Sequence, residues 1–265
     1  MGDMAVRKWN EFRIPYEQAV EELKVKFKSI RREYRRKNEN SPIEFVTGRV
    51  KELSSMLEKA NKFSIPIERV EYELEDIAGI RIMCQFVDDI YRVVDLIRKR
   101  KDMQIIYEKD YITDVKASGY RSYHIIVKYP VNMADGVKEI LAEFQIRTLA
   151  MNFWATVEHS LNYKYKQKIP EGIKGKLKSA ADAAFKLDTE MLEIKDEIMD
   201  AQKLFEVKSS LVSDIMNNIF ALISSGRTVE ADSFQNQLND VVSEGEVFEL
   251  NNLLKATERS LKMYK

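Results

Sequence analysis

From Lys174 to Ser224 the sequence contains no proline and one glycine, Gly175. Proline and glycine are the strongest helix breakers, so a stretch of this length without them has to be helical. Leu177, Ala181, Ala184, Leu187, Met191, Ile194 and Ile198 recur within it every three or four residues, the spacing of a helix-packing seam. Such a seam needs a partner surface. Beyond it, residues 203–265 break at Ser224-Ser225-Gly226-Arg227 and turn acidic around Glu244 and Glu246, which predicts a helical hairpin of unassigned role.

Before about residue 170 the pattern is different, with helical and strand periodicities alternating. Tyr16, Val20, Leu23, Phe27, Ile30 and Tyr34 fall at helical spacing in the first segment. Ser41, Pro42 and Glu44 then combine a capping box with a proline suited to a first helical turn, so a second helix is expected, carrying Arg49, Lys51 and Lys59. EDIAGIRIMCQF joins an acidic turn to an apolar strand, and VDDIYRVVDLIRKR is helical. MQIIYEKDYI, SYHIIVKYP and VKEILAEFQIRT read as strands, and TLAMNFWATVEHSLNYKYK returns to helix. In that helix Asn152, Thr156, His159 and Tyr163 form a polar stripe opposite Leu149, Phe153, Val157 and Leu161. The expected class is α+β: a mixed sheet flanked by helices, with a helical C-terminal region.

Composition excludes several functions. The apolar runs are far shorter than the ~20 residues of a bilayer span, and MGDMAVRKWNEF has no apolar signal-peptide core, so a cytoplasmic location is expected. The single cysteine, Cys84 in IRIMCQF, rules out a disulfide framework and a Cys-rich zinc site, and reads as a small buried hydrophobe. Basic and acidic residues both total 43, so a claim about a charged partner has to rest on local clusters. One such cluster runs from Lys24 to Lys37, with eight basic residues against the single acid Glu33. It reads either as a solvated face or as a site for a phosphorylated ligand or RNA.

The strand LAEFQIR sends Ile140, Ala142, Phe144 and Ile146 to one side and Leu141, Glu143, Gln145 and Arg147 to the other. A polar face of this kind needs solvent, a ligand or a partner. Asp76, in a turn, and Glu143, on this strand, are carboxylates with apolar neighbours, a pair suited to Mg²⁺ and substrate phosphates. Arg49, Lys51, Lys59, Arg81, Lys109, Lys116 and Arg121 supply charge for two polyphosphates, and no Gly-x-x-x-x-Gly-Lys loop is present to cradle them. His124 alone reads as a structural donor.

SPIEFVTGRVK, EDIAGIRIMCQFVDDIY, KDYI, SGYRSYH and AEFQIRTLAMNFWATVEHSLNYKY, in that order, resemble the RelA/SpoT-type alarmone synthetases, most closely the synthetase-only RelQ branch. The likeness spans residues 8 to about 202. It implies a synthetase domain over 1–202 whose helices 171–202 associate, and an extension over 203–265. It also implies transfer of the β,γ-pyrophosphate of ATP to the 3′-hydroxyl of GDP or GTP, releasing AMP, as in the stringent response. By the same resemblance Asp76 and Glu143 would hold Mg²⁺, and Glu143 would orient or deprotonate the attacking hydroxyl. Arg49 and Arg81 would sandwich adenine, and Lys51 and Lys59 would reach the ATP phosphates. Tyr120 would stack on guanine, the preceding glycine letting the chain turn, while Gln145 and Asn152 border the guanosine pocket. Lys116, Arg121 and His124 would lie along the transferred or acceptor phosphates, Arg121 and His124 within the catalytic set, Lys109 would belong to the GDP or GTP site, and His159 would lend support.

The branch also implies a homotetramer, with pppGpp acting allosterically at Lys24, Lys28, Phe45 and Thr47, and binding of single-stranded RNA. Alarmone hydrolysis in this superfamily uses a His-Asp motif in another domain, and no His-Asp pair occurs here, so synthesis alone is expected. Tyr107-Glu108-Lys109-Asp110 keeps only half of a signature linked to acceptor preference, leaving GDP and GTP equally open. Two other readings stand beside this one. The chain could be an RNA-binding regulator, although it lacks KH and RRM signatures, or a nucleotidyltransferase with another acceptor.

Overall fold

β-branched and aromatic residues concentrate in the stretches that pair into one sheet, and the gaps between them fill with amphipathic helices. A computed structural model describes residues 2–164, 171–244 and 247–262, with side chains for 9–161, 172–242 and 247–262. The order is α1 (Gly2–Arg36), β1 (Phe45–Val50), α2 (Leu53–Lys62), α3 (Val70–Glu73), β2 (Ala78–Cys84), α4 (Val87–Arg98), β3 (Gln104–Asp110), β4 (Tyr123–Met133) and β5 (Gly136–Thr148). There follow α5 (Leu149–Lys164), α6 (Glu171–Ser224), α7 (Thr228–Glu244) and α8 (Val247–Lys262). The five strands lie in the order β1-β2-β5-β4-β3, with β2 and β5 parallel and the other pairs antiparallel.

Period-two alternation gives this sheet two unlike faces. Ile80, Ile82, Ile125, Val127, Phe144 and Ile146 are all 0% exposed on one of them. There they form one core with Tyr16, Leu23 and Phe27 of α1 and Ile90, Val93 and Ile97 of α4. Phe27 and Phe144 meet edge to face at 5.1 Å, an aromatic pair worth about 1 kcal/mol beyond its buried area. Cys84 lies in this core, as expected, and burial pushes its thiol up.

The helix expected from Ser41 begins later. Ser41 Oγ accepts from the amide of Ile43, 3.1 Å away and only two residues on, which is a local turn. Glu44 takes hydrogen bonds from Arg31 and Gln85 instead of returning to a cap. Phe45–Val50 is therefore a strand on β2, and the helix starts only at Leu53. Pairing overrides the local signal here because Gly48 lets α1 come close: a Cβ at that position would lie 2.8 Å from Val20 Cγ1.

α5 also differs from expectation. Its buried residues are Met151, Trp154 and Ala155, while Leu149, Phe153 and Val157 are exposed. Trp154 donates its indole N–H to the Leu177 carbonyl at 2.8 Å and shares a cluster with Ala181, so small residues on α6 select this face. Thr156 and His159 are exposed, and the Tyr163 side chain lies outside the described residues.

Contacts divide the chain into two units, Met1–Leu192 and Glu193–Lys265. In the second, the break after Ser224 appears as expected, with Gly226 at φ +80°. Both α7 and α8 pack with the end of α6, so three helices, not a hairpin alone, close around Ile215, Ile219, Leu222, Leu238, Leu250 and Leu253.

Candidate active site

On the second face of the sheet, strand register sets one residue from every strand in a single row. Thr47 pairs with Arg81, Arg81 with Gln145, Gln145 with His124 and His124 with Lys109. A neighbouring row runs Arg49, Gly79, Glu143, Ile126 and Tyr107. Gly79 leaves space in the middle of that row, and a cleft of about 260 Å³ opens there. It is lined by Thr47, Gly48, Arg49, Lys51, Asp76, Gly79, Arg81, Glu143 and Gln145.

Asp76 sits at one end of the cleft, in the turn before β2. Lys51, which follows β1, and Lys59 of α2 bring their ammonium groups to 3.0 and 2.9 Å from its two oxygens. The two lysines were expected on one helix, yet they meet on this carboxylate from two elements. Burial works against the charged form of Asp76, but both lysines outweigh it and hold the carboxyl below its usual range.

Glu143 is held similarly. Its Oε1 lies 2.7 Å from His124 Nδ1, and its Oε2 accepts from Gln145 at 2.8 Å. Burial opposes ionisation, yet the His124 contact and the Gln145 amide overcome it and leave the carboxyl low, while Asp76 pushes the other way. Two ionised carboxylates that repel each other across one cleft, with room between them, are a donor set that fits Mg²⁺. Among the described residues no group of three or more His, Cys, Asp or Glu converges, so substrate oxygens and water would complete the shell. Burial, then Arg147 and Arg49, pulls the Arg81 guanidinium down, so positive charge is concentrated on this side of the cleft.

Beside the cleft, Gly119 adopts φ +86°, and a Cβ there would come within 2.6 Å of Ala181 Cβ, so only glycine fits. Tyr120 follows it. Its hydroxyl meets His124 Nε2 at 2.7 Å and Arg147 Nη2 at 2.6 Å, and the Lys116 ammonium stands 4.9 Å from its ring and 4.1 Å from that of Tyr111. Burial lowers the pKa of Lys116, with Lys109 and Arg147 adding to the effect. Lys109 is exposed over Tyr107, at 4.6 Å. Asn152 carries a buried Oδ1 without a hydrogen-bond donor.

The structure therefore gathers Arg49, Lys51, Lys59, Asp76, Arg81, Glu143 and Gln145 at the cleft, with His124, Tyr120 and Lys116 linked to them. Arg121 is not among them. Its guanidinium pairs with Asp182 at 3.0 Å and stacks on Phe185 at 4.4 Å. The four residues Lys24, Lys28, Phe45 and Thr47 are not brought together within one chain either. Phe45 and Thr47 share the cleft side of β1, Lys24 packs over Gly48 on the opposite side, and Lys28 is exposed on α1. Arg147, only 4% exposed, is a site residue that sequence reasoning left without a role, although it stands on the same polar strand face.

Residues 48–168 match the region found in RelA / SpoT proteins. The GTP pyrophosphokinase YjbM of Bacillus subtilis is 55% identical over 202 residues, 76% of this chain and 95% of its own length. The chain belongs to the RelA/SpoT-type small alarmone synthetases. Among solved structures, small alarmone synthetase 1 of Bacillus subtilis bound to its product pppGpp aligns with a TM-score of 0.70 and 56% identity, over 72% of this synthetase and 98% of that chain. The same Bacillus subtilis enzyme bound to AMPCPP aligns with a TM-score of 0.65 and 52% identity, over 73% and 99%. These likenesses agree with the five-stranded sheet and flanking helices of this family member, the fold class expected from sequence.

Proposed function

We propose that this chain transfers the β,γ-pyrophosphate of ATP to the 3′-hydroxyl of GDP or GTP, releasing AMP, and that it carries no alarmone hydrolase activity. The observation that carries this reading is the cleft itself, where two ionised carboxylates stand among Arg49, Lys51, Lys59 and Arg81. Relatives solved with a nucleotide analogue and with pppGpp support nucleotides as its substrates.

In-line attack on a phosphorus centre needs alignment and fixed positive charge more than covalent chemistry. Arg49 and Arg81 offer planar guanidinium groups to adenine, and Lys51 and Lys59 exchange Asp76 for the ATP phosphates. Asp76 and Glu143 would hold Mg²⁺, which when bound supplies the charge that neutralises those phosphates. Glu143, ionised and hydrogen-bonded on both oxygens, takes the proton of the attacking 3′-hydroxyl. Tyr120 stacks on guanine beside Lys116, and the unpaired Asn152 Oδ1 accepts from the donor edge of the base, a buried acceptor otherwise costing about 1–3 kcal/mol.

Incubating the pure chain with labelled ATP and GDP, GTP or neither tests this. AMP and a guanosine product carrying the label should appear only with an acceptor. Label passing to water, or to another acceptor in preference, would reject the reading.

The exposed Leu187, Met191, Ile194 and Ile198 of α6 support assembly of copies through this helix. Only such an assembly would give Lys24, Lys28, Phe45 and Thr47 a shared cleft for an allosteric nucleotide. Light scattering on the wild type and on a Met191→Glu, Ile194→Glu variant checks the assembly. An unchanged mass in the variant would reject it.

A further inference from the structure

Five side chains close a ring of hydrogen bonds beside the cleft. Glu143 Oε1 meets His124 Nδ1 at 2.7 Å, and His124 Nε2 meets the Tyr120 hydroxyl at 2.7 Å. Arg147 Nη2 lies 2.6 Å from that hydroxyl and 2.7 Å from Gln145 Oε1, and Gln145 Nε2 donates to Glu143 Oε2 at 2.8 Å. The Arg147 Nε–H is anchored on Ser122 Oγ at 3.1 Å. Nothing in the proposed transfer uses Arg147 itself.

We propose that Arg147 is a positioning residue that fixes the direction of every hydrogen bond in this ring and so aims one donor at each oxygen of Glu143. The role rests on the reading of Glu143 as the reacting carboxylate. A guanidinium has donors and no acceptor. The Tyr120 hydroxyl therefore accepts from Arg147, which leaves its own proton free for His124 Nε2. Imidazole that accepts at Nε2 carries its proton on Nδ1, and that N–H donates to Glu143 Oε1. On the second arm Arg147 donates to Gln145 Oε1, as Arg81 Nε does at 3.3 Å, which fixes the amide with its nitrogen toward Glu143 Oε2.

Both arms thus start at one buried cation and end as donors on one carboxylate. Each Glu143 oxygen keeps a lone pair for substrate or metal. One arm also runs through the ring proposed to stack on guanine, so the seat of the acceptor base and the orientation of the reacting carboxylate are set together.

The test is the proton on His124, read from long-range ¹H–¹⁵N spectra at mildly alkaline pH. The chain has two histidines, and a His159→Gln variant separates the signals. In the wild type the Nδ1–H tautomer of His124 should dominate. Arg147→Met, which cannot donate, and Tyr120→Phe, which keeps the ring and loses the hydroxyl, should each mix the tautomers. Arg147→Met should also lower kcat by ~10–100-fold, as loss of supporting contacts does around metal sites, with little change in the KM for ATP. Arg147→Lys should restore part of kcat. A proton on Nε2 in the wild type overturns the proposal, as does a tautomer unmoved in both variants. If Arg147→Met fails to fold, the wild-type and Tyr120→Phe spectra still decide. Retained turnover in Glu143→Gln would instead overturn the role of Glu143 and leave the tautomer result standing.

Discussion

The two faces of the central sheet come from the same strands and obey different rules. Toward α1 and α4 the residues of β2, β4 and β5 are mostly buried isoleucine, valine and phenylalanine, and their contribution depends on volume and shape. On the other face Arg81, His124, Glu143, Gln145 and Arg147 alternate with them, and their contribution depends on the direction of each hydrogen bond and the sign of each charge. One period-two pattern writes both faces, so neighbouring residues such as Glu143 and Phe144 should fail in unrelated ways.

That contrast can be broken at its centre. Glu143→Gln should lower turnover by ~10²–10⁴-fold, the range for a lost general base, while changing unfolding free energy by less than about 1 kcal/mol. Steady-state rates and denaturant melts check the pair of values, and equal damage to fold and rate would erase the distinction. Next in size, Phe144→Ala should cost about 3–5 kcal/mol of stability, because it empties space against Phe27. A cost below about 1 kcal/mol in a urea titration would mean that this face is not the core.

Asp188 of α6 sharpens the comparison from outside the sheet. It is 5% exposed and accepts from Thr148 Oγ1 at 2.6 Å, and the same oxygen accepts the Met151 amide at the start of α5. Burial raises its carboxyl from 3.8 to about 6. The folded state therefore binds the proton more tightly than the unfolded chain, so the contribution of Asp188 to stability is complete below about pH 4, is lost as pH rises toward about 6, and stays absent above it. Asp188→Asn should gain about 2–3 kcal/mol near neutral pH, at 1.36 kcal/mol per pKa unit, and almost nothing near pH 4. Melting curves at the two pH values check it, and a gain independent of pH would exclude a buried charge as the cause. The smallest effect concerns Tyr120→Ala, which should weaken the guanine nucleotide by about 1–3 kcal/mol and leave ATP nearly unchanged. Equal rises in both KM values would move Tyr120 from the acceptor site to general support.

Much of this was legible in the sequence. The alternation in LAEFQIR places Phe144 and Glu143 on opposite faces, and the acidic turn before β2 places Asp76. The stretch after Ser41 misled because capping signals are local, whereas the pairing of Phe45–Val50 with β2 and the close approach of α1 over Gly48 are not. α5 misled for a related reason: its buried face was chosen by Ala181 and the Leu177 carbonyl on a distant helix. Arg147 stood in plain view on the polar face, but its importance lies in what Tyr120 and Gln145 offer it, and spacing alone does not carry that. The ion pair and stacking of Arg121 on Asp182 and Phe185 depend equally on α6, more than fifty residues further along the chain.

Cys84, the single thiol, lies at the end of β2 with no exposed surface and with its ionisation suppressed by burial. A thiol in that position reacts only when the sheet opens around it, since the thiolate is the reactive form and neither reagent nor hydroxide reaches it in the closed state. Its rate of modification is therefore a built-in clock for opening of the core. Nucleotides that bind only the closed form should slow that clock in proportion to their occupancy, which turns one inert side chain into a reporter of events on the opposite face of the sheet.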